Sequence, residues 1–253
     1  MNVVPKKRLG QHFLVDENIL RVIDRLAELE PTDVVLEIGP GLGILTRFLG
    51  DRVVHVHAVE LDRSLERELR DLPRTELHWG DALALDLDAL RPQPNKLVAN
   101  LPYNVATAIV VESLDRLPTV RRWCVMVQRE VADRLYAEPG TKAYGAVSVL
   151  LQLATERAGF HPVSRGVFRP RPNVDSALVA FRRTAPGIEP GVKRVVEAAF
   201  AHRRKTLANS LALAGVATRA EAADALGAIG RGQAVRAEEL APAEFVALAG
   251  ALA

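Results

Sequence analysis

A chain of 253 residues can hold one large α/β domain and a smaller one, and 49% hydrophobic with 25% charged residues is the balance of a soluble globular protein. A formal net charge of only +2 gives no bulk-charge argument for a nucleic-acid partner, and the single cysteine, Cys124, excludes an intramolecular disulfide. No apolar run reaches membrane-spanning length, and the basic N-terminus has no apolar stretch behind it, so a cytoplasmic protein with no membrane partner is expected.

The first fifteen residues are basic, with Lys6-Lys7-Arg8, and then mixed in Gly10-Gln11-His12-Phe13-Leu14. That is either a loose terminal arm or a segment lying over a bound ligand. Asp16 caps a helix whose Ile19, Leu20, Ile23, Leu26 and Leu29 follow helical spacing, closed by Pro31. Val34 to Ile38 reads as a buried strand running into Gly39-Pro40-Gly41-Leu42-Gly43. The turn departs from the dinucleotide pattern G-x-G-x-x-G, yet glycines after a strand let the backbone approach a ligand closely. A second strand, Val53 to Val59, ends in Glu60-Leu61-Asp62. Glu60 stands 21 positions after Gly39, the offset of a carboxylate that holds ribose hydroxyls, while Asp62 reads as the cap of a following helix. A third strand, Leu77 to Trp79, is followed by Gly80-Asp81-Ala82, where Asp81 could accept from an adenine amine. One acid at a strand end is commonly a helix cap; two at successive strand ends behind a glycine turn point to an adenosine-bearing cofactor.

The fourth strand stops at Asn100-Leu101-Pro102-Tyr103. An adenine's exocyclic amine carries two N–H donors. The Asn100 side-chain carbonyl and the backbone carbonyl of Leu101 or Pro102 could accept both, favouring a pyramidal nitrogen with its lone pair free to attack. Pro102 fixes its φ and lacks an N–H, and Tyr103 offers a flat face to an unstacked base. The plain alternative is a strand followed by a turn.

Further on, Val105 to Leu117 reads as a helix, Trp123 to Gln128 as a strand, Arg129 to Ala137 as a helix, and Tyr144-Gly145 as the opening of another. Strands at Thr155 to Val163 and Asp175 to Arg183 bracket the proline-stiffened loop Val167 to Val174. Phe168 in it is weighed between a core position and a partly exposed second aromatic wall for a flipped base; the second is expected. A Pro/Gly linker over 185–191 leads to helices at Val192 to His202, Thr206 to Ala214, Thr218 to Gly227 and Pro242 to Leu252, with Thr218 and Glu221 forming a capping box. The expected division is 1–184 and 185–253, with Arg203, Arg204 and Lys205 on the leading edge of the second domain as an RNA-binding cluster. Among six histidines no metal-binding spacing is seen; His55 and His57 share a strand face without further ligands nearby, and no metal is expected.

These stretches, in this order and nearly end to end, resemble the bacterial small-subunit (16S) ribosomal RNA adenine N6-dimethyltransferase family. The residues that carry the resemblance are Gly10 to Leu14, Glu37 to Gly43, Glu60 to Asp62, Gly80 to Ala82, Asn100 to Asn104, Gln128 to Val131, Phe168 to Ala177 and Arg203 to Leu207. Departures stand at Ala106, where a hydroxyl residue is usual, and at Ala208, where a basic one is. The resemblance implies a Rossmann-like S-adenosylmethionine-dependent methyltransferase domain with a small all-helical C-terminal domain. It implies cofactor contacts at His12, Leu14, Gly39, Glu60, Asp81 and Asn100, with Gly41 in the same glycine turn. It further implies dimethylation of two adjacent adenosines in a hairpin loop near the 3′ end of 16S rRNA, within an immature 30S subunit, by a monomer. The runner-up is the sister family of 23S rRNA adenine methylases of macrolide resistance, which carry Phe at the Tyr103 position. A third reading is a ribosome-assembly or transcription factor on the same fold.

Overall fold

The computed structural model describes residues 5–6 and 9–253, so Lys7 and Arg8 of the basic N-terminal cluster lie outside the described residues. The chain opens with β1 (Phe13–Leu14) and α1 (Glu17–Ala27), whose start is set by the Asp16 carboxylate accepting from the Asn18 amide at 2.8 Å. Then follow β2 (Val34–Ile38), α2 (Ile44–Gly50), β3 (His55–Glu60), β4 (Thr75–Trp79), β5 (Lys96–Asn100), α3 (Ala106–Arg116), β6 (Arg122–Gln128) and α4 (Arg129–Leu135). The remainder is α5 (Ala146–Ala154), β7 (Thr155–Val163), β8 (Phe168–Arg169), β9 (Ser176–Arg183), α6 (Pro190–Ala201), α7 (Leu207–Leu213), α8 (Arg219–Ala228) and α9 (Pro242–Ala251).

Seven strands make one sheet in the order β4-β3-β2-β5-β6-β9-β7. β4, β3, β2, β5 and β6 run parallel, and β9 is antiparallel to β6. Central strands such as β2, β5 and β6 are covered on both faces and therefore read as largely apolar runs, broken within β2 only by Glu37, whereas the edge strand β4 alternates Glu76 and His78 with Leu77. The winding reverses between β2 and β5, which is where open α/β sheets bind ligands, beyond the carboxyl ends of the strands. At the opposite end the same two strands are clamped: Lys96 Nζ lies 2.7 Å from the buried Asp33 carboxylate, which also accepts from Asn95 Nδ2 at 2.9 Å.

Several local expectations shift. The helix foreseen after Asp62 is a single 3-10 turn, Arg63–Leu65, with Asp62 as its cap, and α2 follows the glycine turn unannounced. A two-residue ladder joins β1 to β8, pairing Leu14 with Phe168. It carries Phe168 into the same apolar cluster as Ile19, Ile23 and Leu178, with 2% of its surface exposed. Phe168 is a core residue and not a partly exposed aromatic wall.

The described chain divides into two compact units, one running up to Ala132 and resuming over Glu156–Arg183, the other comprising Asp133–Thr155 and Thr184–Ala253. The expected 1–184 and 185–253 division is corrected on this point, because residues 133–155 cluster with the C-terminal helices. Tyr144 explains the allegiance: its hydroxyl donates to the Leu240 carbonyl at 2.8 Å, and its ring meets Phe200 edge-on at 5.9 Å.

Candidate active site

A cavity of about 260 Å³ opens at the switch point, beyond the ends of β2 and β5. The glycine turn after β2 forms its floor. Gly39 has φ +76°, and a Cβ there would meet the Pro102 ring at 3.3 Å; Gly41 has φ +58°, and a Cβ there would strike the Phe13 ring at 2.9 Å. Only glycine lets the turn sit that close to both neighbouring segments. Glu60, ending β3, is buried and holds the turn: it accepts from the Gly41 amide at 3.2 Å and from the Asp62 amide at 2.8 Å. Burial raises its pKa, and those two amide bonds only partly offset the rise. Asp62 instead takes Lys6 Nζ at 2.5 Å and Gln11 Nε2 at 2.9 Å, anchoring the N-terminal arm. Although burial opposes it, the bonds from Lys6, Ser64 and Gln11 hold the Asp62 carboxyl well below the usual range.

The arm lies along the cavity, with His12 and Leu14 in its wall. His12 is fixed on two sides. Its Nδ1–H donates to the Pro170 carbonyl at 2.8 Å, and its ring stacks on Tyr103 at 5.2 Å between centroids. The Tyr103 hydroxyl lies 2.6 Å from Ser176 Oγ, so the ring is held at both ends. Asn100 Nδ2 donates to the His12 carbonyl at 3.1 Å. With its amide nitrogen so committed, Asn100 presents its oxygen, and that buried Oδ1 has no hydrogen-bond partner among the described residues. A buried acceptor without a partner costs about 1–3 kcal/mol, so this atom is set for a donor that a ligand would bring. Asp81 is exposed at the rim and accepts from the Leu83 amide at 2.9 Å through one oxygen.

Ten of the residues singled out from the sequence thus line one cavity: His12, Leu14, Gly39, Gly41, Glu60, Asp81, Asn100, Leu101, Pro102 and Tyr103. Phe168 does not line it. Arg203, Arg204 and Lys205 belong to the other unit and are exposed, but Arg203 is already engaged, donating through Nη2 to the carbonyls of Tyr144 at 2.9 Å and Lys142 at 3.2 Å. One acid of the cavity reads in the sequence only as part of its strand and motif and is not singled out there as a site residue. Glu37 is 1% exposed, its Oε2 is unpartnered among the described residues, and burial, opposed by the Thr46 side chain and reinforced by the nearby Glu60 charge, pushes its pKa up to about 8. The available signal was a lone acid inside an otherwise apolar strand.

The histidines also depart from expectation. β4 pairs beside β3 with Glu76 opposite His57, so Glu76 and His78 join His55 and His57 on one face of the sheet edge. The expected lack of further ligands is corrected: sequence spacing within one strand cannot show what a neighbouring strand contributes.

Comparison with known proteins gives a consistent picture. The family described as ribosomal RNA adenine dimethylase matches residues 4–252. Ribosomal RNA small subunit methyltransferase A of Rubrobacter xylanophilus is 49% identical over 250 residues, covering 96% of this chain and 94% of that protein. The protein of the same name from Kineococcus radiotolerans is 47% identical, covering 98% and 86%. Among solved structures, a dimethyladenosine transferase from Plasmodium falciparum superposes with a TM-score of 0.77 at 22% identity over 94% of this chain and 96% of that one. The 23S rRNA methyltransferase ErmE gives a TM-score of 0.64 at 30% identity over 95% of this chain and 99% of that one.

Proposed function

The chain belongs to the ribosomal RNA adenine dimethylase family, and on that premise we propose how its cavity serves the reaction. The protein is an S-adenosylmethionine-dependent methyltransferase that dimethylates adenine in 16S ribosomal RNA. The cavity fits such a cofactor: a glycine floor with no Cβ in the way, a buried carboxylate at Glu60, and two buried oxygens, Asn100 Oδ1 and Glu37 Oε2, that lack hydrogen-bond partners among the described residues. His12, Leu14, Gly39, Gly41, Glu60, Asp81 and Asn100 would hold it. Although Glu60 accepts two amides, a carboxylate has about four lone-pair sites, which leaves capacity for a ribose hydroxyl.

S-adenosylmethionine supplies an already activated methyl group, so the protein's work is chiefly positioning. Asn100 Oδ1 accepts one hydrogen of the target amine and the Leu101 or Pro102 carbonyl accepts the other, which frees the nitrogen lone pair. Tyr103, braced by Ser176 and His12, supports the flipped base on its ring. Burial raises the Glu37 pKa, and the methylated amine, once cationic, loses its proton to water without a side-chain base. The observation that carries this reading is the unpartnered Asn100 oxygen in the cavity wall.

At finer grain, the substrate is a pair of adjacent adenosines in a hairpin loop near the 3′ end of 16S rRNA, met within an immature 30S particle by a monomer in the cytoplasm. Greater identity to small-subunit enzymes than to ErmE supports this over the 23S alternative. The test is methylation of immature 30S particles beside 23S fragments, with the modified nucleotides mapped. Label in two neighbouring adenosines of the 16S RNA is expected; label confined to 23S RNA would sink the assignment.

A further inference from the structure

The sheet edge farthest from β9 carries a cluster that the methyl-transfer chemistry does not use. His55 and His57 project from β3, and Glu76 and His78 from β4, all on one face because the parallel register sets His57 opposite Glu76. A ligand atom from each of His55, His57 and Glu76 lies within 4.8 Å of the other two. Glu76 Oε2 is 3.6 Å from His55 Nε2 and 3.7 Å from His57 Nδ1, and its Oε1 is 3.9 Å from His78 Nε2. His57 Nδ1 and His78 Nε2 are 3.0 Å apart. A tetrahedral ion with bonds near 2.0–2.1 Å separates its ligands by about 3.3 Å, so the Glu76 contacts to His55 and His57 need shifts of only a few tenths of an ångström and the two imidazoles, within 4.8 Å of each other, a somewhat larger one.

Two further details point to a ligand. His57 is fully buried, and its Nε2 lies 2.8 Å from the Pro92 carbonyl. A carbonyl only accepts, so Nε2 carries the proton and the Nδ1 lone pair is turned toward the other three groups. Metal-binding imidazoles are commonly oriented in this way by a backbone carbonyl. His55 Nε2 is buried on the same side with no hydrogen-bond partner among the described residues.

We propose that His55, His57 and Glu76 form a site for a divalent transition-metal ion of the zinc class. Two imidazoles and one carboxylate suit Zn²⁺ or Co²⁺ rather than Mg²⁺ or Ca²⁺, which take oxygen ligands. With ligands from both strands, the ion pins β4, the least buried parallel strand, to β3. His57 precedes Glu60 by three residues, which puts the ion roughly 10 Å from the cavity along the strand.

The test uses the full chain without a histidine tag, stripped by chelator and titrated with Zn²⁺ in a calorimeter and with Co²⁺ by visible absorption. One ion per chain and the d–d bands of a tetrahedral Co²⁺ centre are expected. His55→Ala and Glu76→Gln, both on partly exposed side chains and outside the cavity, should each weaken Zn²⁺ binding at least about tenfold while leaving cofactor affinity unchanged. Zn²⁺ should raise the Tm of the parent and not of the double variant. Absence of stoichiometric binding, or equal affinity in the parent and the double variant, would overturn the site.

Discussion

Two side chains in the cavity show how much a single buried atom can reveal. Asn100 has its nitrogen tied to His12 and its oxygen unpartnered among the described residues, so the orientation of the amide follows from the fold before any ligand arrives. A bond that strengthens as the amine pyramidalises acts on turnover more than on affinity. Asn100→Ala should therefore slow single-turnover methylation by ~100-fold at saturating S-adenosylmethionine, with RNA affinity almost unchanged; a parental rate would reduce the segment to an ordinary turn. Glu37 is the other case. Its pKa rises from 4.5 in an unfolded chain to about 8 on burial, so the native state binds the extra proton between those values. Its contribution to stability is therefore full below about pH 4.5 and is lost as pH climbs toward 8. Glu37→Gln should remove that slope: its Tm advantage over the parent should grow from pH 5 to pH 8 in thermal scans. Parallel Tm profiles would mean that Glu37 titrates normally.

Among the elements, the β1–β8 ladder changes the meaning of an aromatic residue. Pairing of Leu14 with Phe168 turns that ring into the cluster under α1, away from the cavity wall. Phe168→Ala should then cost about 3–5 kcal/mol in urea unfolding, the scale of a buried Phe truncation. Because the ladder also positions the arm, cofactor affinity should fall with stability. The milder Phe168→Leu should restore both. A stable Phe168→Ala variant with selectively weakened RNA binding would reinstate the stacking role. The β2–β5 pair shows a complementary division of labour, with the Asp33–Lys96 clamp at one end and the ligand crevice at the other.

For the whole molecule, a net charge of +2 leaves RNA affinity to local clusters. In the helical unit Arg203 is occupied by the carbonyls of Lys142 and Tyr144, and its own carbonyl accepts from Arg236, so it fastens the 142–144 loop. Of that cluster, Arg204 and Lys205 are exposed and are proposed to meet phosphate. Replacing both with Ala should flatten the log–log salt dependence of RNA binding by about two units, close to one per lost contact. S-adenosylmethionine affinity should not move. An unchanged slope would leave the cluster as solvated surface.

Signals confined to one segment were legible in the sequence. Apolar runs marked the buried parallel strands, and the Thr218–Glu221 capping box formed as read, with the Glu221 amide donating to Thr218 Oγ1 at 3.2 Å. The glycine turn and the polar residues at successive strand ends announced a ligand crevice, because in a parallel sheet all those ends lie on one side. What depended on which segments become neighbours was not legible. The burial of Phe168 needed β8 to meet β1, the allegiance of residues 133–155 needed Tyr144 to reach Leu240, and the histidine–glutamate cluster needed β4 to register against β3. Local sequence sets the period and the ends of an element, whereas ladder register and side-chain packing join residues far apart in the chain, and only the folded sheet decides them.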